Sequence, residues 1–225
     1  QRLAQKIRPE GPMTSWLRIS IRIAVLFGVF GEILRSGEAD EAHPVDVALP
    51  AGDFSVNMAV WYARQMGLPI GRIICCCGPN SAVWDLLNLG QMRTGGPEAS
   101  FELERLIHAR LGYEEARRFN QAVRDGGIYS LAPENAALLR QGMFSAVVSN
   151  DRRDNTISNV YRTNAYLLEP DAAGAYSALM DHRAKSGDNR RALLLEDRSP
   201  GDCQSQITAA MGITPAELEQ ILEKL

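Results

Sequence analysis

Apolar residues recur at helical spacing from residue 16 to residue 34, around Arg18 and Arg22, and the pattern stops at Ser36-Gly37. That spacing predicts a long buried helix. The short, β-branched run Val45-Asp46-Val47-Ala48-Leu49 ends at Pro50, and the period turns helical over 54–66 before Gly67-Leu68-Pro69. The order is strand, tight turn, helix. Arg72-Ile73-Ile74-Cys75-Cys76-Cys77 is almost continuously apolar, as in a strand buried on both faces, and Gly78-Pro79 separates it from a helix over 81–88. Two successive strand-helix units predict a parallel sheet with right-handed crossovers.

Residues 91–99 contain Gly95, Gly96 and Pro97 and read as a loop. Helices are expected over 101–109 and 113–123, with a short one ending near Gln141. A further strand is expected over 144–148, after which Ser149 and Asn150 cap a helix running towards Tyr161. Glu169-Pro170-Asp171 opens a helix reaching about Ala184, and 191–195 reads as another strand. Thr214 with Glu217 forms a capping-box pattern at the start of a terminal helix. The whole chain, 1–225, is thus expected to be one α/β domain: three layers, a parallel or mixed sheet with flanking helices, and a helical insertion at about 97–141.

The 225 residues carry 24 basic and 27 acidic side chains, a net charge of −3. No cation excess exists to release counterions from a phosphate backbone, so a nucleic-acid partner is not expected. Any anion site must be local. Only Lys6, Lys185 and Lys224 are lysines, which limits chemistry that needs an amine. The longest apolar run lies between Arg22 and Glu32, short of the roughly 20 residues that span a bilayer. No membrane partner is expected, and the reading is cytoplasmic. The first residue is Gln1, which suggests either processing or a piece of a longer polypeptide. Cys75, Cys76 and Cys77 are consecutive and so alternate faces in a strand, which suits buried thiols and neither a zinc pair nor a disulfide framework. His43, His108 and His182 are scattered without ligand spacing, so no metal site is expected.

The most informative stretch is Pro50-Ala51-Gly52-Asp53-Phe54-Ser55-Val56-Asn57, after a parallel strand and at the start of a helix. Free backbone N–H groups and the helix dipole make such a corner an anion site without any lysine. Gly52 would allow close backbone approach and Ser55 adds a hydroxyl donor. Asp53 permits the opposite reading, in which its carboxylate caps the helix and occupies the corner itself.

Leu49-Pro50-Ala51-Gly52-Asp53-Phe54, with Tyr62-Ala63-Arg64-Gln65-Met66-Gly67-Leu68-Pro69-Ile70 after it, resembles the V-P-T-G-N-F-G-N…Y-Y-A-K-K-M-G-L-P-I stretch of threonine synthases. Ser15-Trp16-Leu17-Arg18 resembles the family's S-I-N-W-x-R. Trp84-Asp85-Leu86-Leu87 with Gly90-Gln91 falls at its next helix. Tyr166-Leu167-Leu168-Glu169-Pro170-Asp171-Ala172-Ala173-Gly174 resembles its Y-L-L-D-P-H-T-A-V-G, and Ser199-Pro200 its late S/H-P. The likeness covers most of residues 12–203.

The resemblance implies a fold-type II pyridoxal-phosphate architecture, like the tryptophan synthase β subunit. It also implies the cofactor pyridoxal 5'-phosphate and the conversion of O-phosphohomoserine, a phosphorylated amino acid, to L-threonine. The family's turn grips the cofactor phosphate, which places Gly52, Asp53, Phe54, Ser55 and Val56 at the cofactor; Gly52 and Phe54 match the family, while Asp53, Ser55 and Val56 depart from its Asn, Gly and Asn. Asp197 falls where the family has a Thr against the pyridine nitrogen. The family's lysine motif H-G-P-T-x-x-F-K-D does not occur in this sequence. Three readings stay open: a carboxyl-terminal segment whose amino-terminal half supplies the lysine, an inactive paralogue kept as a ligand-binding or regulatory module, or an unrelated nucleotide- or sugar-phosphate-binding domain.

Overall fold

The computed structural model describes residues 12–96, 100–196 and 198–224, and for 12–14 the backbone only. In chain order the elements are α1 (Pro12–Arg35), β1 (Val45–Pro50), α2 (Phe54–Gln65), β2 (Ile70–Cys77), α3 (Ala82–Leu89) and β3 (Gln91–Arg93). Next come α4 (Phe101–Leu111), α5 (Tyr113–Asp125), β4 (Ile128–Ser130), α6 (Pro133–Arg140) and β5 (Met143–Val147). Then follow α7 (Asn150–Asn164), α8 (Pro170–Ser186), β6 (Ala192–Leu194), a 3-10 turn (Pro200–Cys203), α9 (Gln204–Met211) and α10 (Pro215–Leu222).

Strands β5-β2-β1-β6 form a wholly parallel sheet in that order. Alternation along β1 and β2 divides the core in two. Val47, Leu49, Ile73 and Cys75 pack with Met58 and Ala59 of α2 on one face. Ala48 and Ile74 join Ala146, Ala175, Ala178 and Leu179 on the other, beneath α8. The three-layer α/β fold expected from the sequence follows from this double burial, because a β-strand apolar on both faces needs a cover on each. A separate cluster built from Ile157, Leu168, Ile207 and Leu218 holds α7, α8, α9 and α10 together.

Two expectations are corrected. Helix α1 is buried on one side only: Ile19 and Phe30 are fully enclosed, whereas Leu17, Ile21 and Val25 are 60%, 57% and 59% exposed. Its apolar residues run round the helix, but the described chain covers only the side against α2 and α4. The loop expected over 91–99 begins as β3, which pairs antiparallel with β4, Met92 opposite Tyr129. Three residues are too few for a period-2 pattern to register. Residues 97–99 lie outside the described residues.

Candidate active site

Parallel strands all end on the same side, so the loops after them and the starts of the following helices converge there. A cleft of about 370 Å³ opens at that edge. Pro50, Cys77, Val148 and Leu195 line it from the ends of the four strands. Asp53 and Val56 come from the start of α2, Asn150 and Arg153 from α7, Asp171 and Gly174 from α8. Three helix amino termini therefore face one cleft, each carrying a partial positive charge.

The corner at the start of α2 is held tightly to the sheet. Ala51 donates its amide to the Cys76 carbonyl at 2.8 Å. The Asn57 side-chain amide donates to the Pro50 carbonyl at 2.9 Å, and the buried Cys75 thiol donates to Asn57 Oδ1 at 3.1 Å. Asp53 is the N-cap of α2, in extended conformation, with its Oδ1 accepting from the Ser55 amide at 3.0 Å and the Ser55 hydroxyl at 2.6 Å. Arg22, reaching over from α1, donates to Asp53 Oδ2 at 2.9 Å and also to Ser55 Oγ. Burial pushes the Asp53 carboxyl up, but the bonds from Ser55 and Arg22 outweigh it and hold the group below its ordinary value. Asp53 is thus a carboxylate at neutral pH.

Of the residues singled out from the sequence, Gly52, Asp53 and Val56 line the cleft. Ser55 is fully buried behind them and meets the site through Asp53 and Arg22, while Phe54 is buried in the core. Asp197 lies outside the described residues. Sequence reading missed Cys76, Asn150, Arg153, Asp171, Gly174 and Glu196 as wall residues. The available signal was their position just past, or at the end of, an expected strand or at an expected helix start. Burial pushes the Cys76 thiol up to about 12, which makes it a poor nucleophile at neutral pH. Glu196 is also pushed up by burial, against bonds from the Glu169 amide and the Tyr166 hydroxyl. Arg153 lies 3.8 Å from Asp171, which Arg198 approaches at 2.7 Å.

Three donors converge on one carboxylate: the Ser55 amide and hydroxyl on Oδ1 of Asp53, and the Arg22 guanidinium on its Oδ2. That set suits a phosphate as well as a carboxylate. In this structure the occupant is the side chain of Asp53, which is 38% exposed and borders the cleft. A phosphate entering here would take over the donors only by turning that carboxylate out.

The parallel sheet, its two helical layers and a cleft beyond the strand ends define a doubly wound α/β architecture. A crystal structure of a threonine synthase from Brucella melitensis, with pyridoxal phosphate bound, superposes with a TM-score of 0.75 at 21% identity over 92% of this chain and 46% of that one. The protein "Threonine synthase-like 1" of Macaca fascicularis is 25% identical over 176 residues, 72% of this chain and 24% of its own length. The threonine synthase of Methylobacillus glycogenes is 22% identical over 218 residues, 89% of this chain and 44% of its own. No family model matches the chain. The resemblance to threonine synthases read from the sequence is borne out by these matches, and a carboxyl-terminal part accords with the coverage. The chain spans less than half the length of these relatives.

Proposed function

We propose that this chain is the carboxyl-terminal part of a threonine synthase-like enzyme that makes L-threonine from O-phosphohomoserine with pyridoxal 5'-phosphate. The observation that carries the reading is the convergence of Arg22 and Ser55 on the two oxygens of one carboxylate, Asp53, which borders the strand-end cleft. When bound, the cofactor supplies an electron sink for the substrate's carbanion. The residues of this chain act around it. Arg22 and the Ser55 N–H and O–H would hold two oxygens of a phosphate once Asp53 had turned aside. The starts of α7 and α8 add the favourable ends of two helix dipoles to the far wall. Glu196, whose carboxyl is shifted above its ordinary value by desolvation, lies at the cleft edge. The lysine of the family motif comes from the remaining part of the fold, as does the opposite wall of the cleft.

The test is phosphate release from O-phosphohomoserine by the intact protein, or by this chain combined with the lysine-bearing part, with pyridoxal phosphate added. Expected are turnover and saturable cofactor binding, both weakened by Arg22→Ala. Cofactor binding without turnover would return the chain to the inactive-module reading, and absence of saturable binding would remove the cofactor assignment.

A further inference from the structure

At the opposite end of the sheet, away from the cleft, Asp46, His182 and Asp188 each offer a ligand atom, and these atoms lie within 4.8 Å of one another. Asp46 stands near the amino end of β1, where its amide donates to the Arg191 carbonyl. His182 is in the last turns of α8, and Asp188 is in the loop between α8 and β6. The three are far apart in sequence, which is why histidine spacing predicts no site. His182 is 96% buried, being 4% exposed, with its ring 5.0 Å from Phe144. Its Nε2 has no hydrogen-bond partner and faces Asp46 Oδ2 at 3.9 Å, too far for a direct bond. A buried polar atom left this way calls for an ion or a water between the two groups.

Asp46 is held for such a role. Its Oδ1 accepts the Arg72 amide at 2.6 Å. The position beside it has to be Gly71, since a Cβ there would stand 2.4 Å from that oxygen. This leaves Oδ2 turned to His182. Burial, with Arg72 nearby, lowers the affinity of the imidazole for a proton and so keeps it in the neutral form that ligates metals. The charged groups facing it are Asp46, Asp188, Arg72 and Arg190. Arg190 pairs with Asp188 at 3.2 Å, and its side chain is 48% exposed, so it can leave towards solvent.

We infer that Asp46, His182 and Asp188 form a site for a divalent transition-metal ion, zinc being the best match. One imidazole nitrogen and two carboxylates leave room for a water as fourth ligand, and the imidazole disfavours magnesium and calcium. The ion would join β1, the end of α8 and the 187–191 loop, at the edge remote from the strand-end cleft.

The test uses the intact protein, stripped with a chelator and titrated with Zn²⁺ against a chromophoric competitor. Cobalt substitution then reports the ligand type. Expected is one equivalent of Zn²⁺ and a cobalt spectrum without a thiolate charge-transfer band, which separates this site from the cysteines of β2. Asp188→Asn, at a partly exposed position that leaves the core intact, should weaken binding at least about tenfold. Arg190→Gln removes the competing guanidinium and should tighten it. Absence of saturable binding, a thiolate band, or an Asp188→Asn variant that binds like the parent would each overturn the assignment and leave a bridging water as the occupant.

Discussion

At Asp53 a single carboxylate does two things that oppose one another. As N-cap it satisfies the Ser55 amide and orders the start of α2. As an anion it occupies the donors a phosphate would need. Asparagine caps a helix about as well as aspartate, so Asp53→Asn separates the two roles. Affinity for inorganic phosphate or pyridoxal phosphate is expected to rise about tenfold, on the order of 1.4 kcal/mol. Titration calorimetry checks this, and unchanged affinity would place the anion elsewhere. The stability effect has the reverse sign. The folded-state carboxyl lies below its ordinary value of 3.8, so the ionised pair stabilises the fold above that pH and loses the contribution as pH falls through the lower folded value. Wild type should exceed Asp53→Asn in unfolding free energy from denaturant titration at pH 7, by under about 1 kcal/mol for so exposed a pair. The difference should close only below roughly pH 3.8. A gap that closed near pH 6 would mean that another group carries it.

Between elements, the contact that brings α8 down onto β2 rests on Gly174. A Cβ at that position would lie 2.9 Å from Cys76 Sγ, closer than side chains pack. Gly174→Ala gains helix propensity, about 1 kcal/mol, but must push the sulfur or the helix aside, at roughly 1–3 kcal/mol. The expected outcome is a net loss of stability and a shifted cleft wall. Cys76→Ala removes the sulfur, so the double variant should recover most of the loss. A double-mutant cycle by chemical denaturation measures this coupling, and additive effects would show that the helix does not bear on Cys76. The sequence made these elements legible in the sheet layer, where β1, β2 and β5 carry strong apolar runs and proline or glycine stops. It made the caps legible too: Ser149, Glu169 and Thr214 each accept from the backbone of the helix they precede. Helix α9 and the β3–β4 pair were not, because eight residues of mixed polarity and two three-residue strands give too little periodicity to stand out. The site was legible only where backbone chemistry defines it, at Gly52 and Asp53. Arg22 was recognisable as a charge inside an apolar helix needing a partner, but which carboxylate it meets depends on how α1 crosses α2. Asp46, His182 and Asp188 carry no local pattern whatever.

On the scale of the whole molecule, the apolar face of α1 is the part of the surface that most requires company. Leu17, Ile21 and Val25 lie one turn apart and form a stripe on the outer side of the helix, more than half exposed at each position. Monomeric surfaces seldom leave such stripes uncovered. The same helix supplies Arg22 to Asp53 at the cleft wall, so whatever packs on the outer stripe lies across α1 from the anion corner. The chain spans under half of the relatives it matches, and the proposed enzyme needs a lysine-bearing part; the occupant consistent with both is that part of the same fold. Replacing Ile21 with Glu puts a charge at the centre of the stripe without touching the core, where Ile19 and Phe30 face inward. Helix content and the melting temperature of this chain alone should change little, since exposed substitutions lie within about 0.5 kcal/mol. Association with a separately expressed lysine-bearing part, read by sedimentation, should weaken by tenfold or more, on the order of 1.4 kcal/mol, and cofactor binding should fall with it. If the variant associates as the parent does, the stripe faces solvent or another partner, and the two parts meet across a different surface.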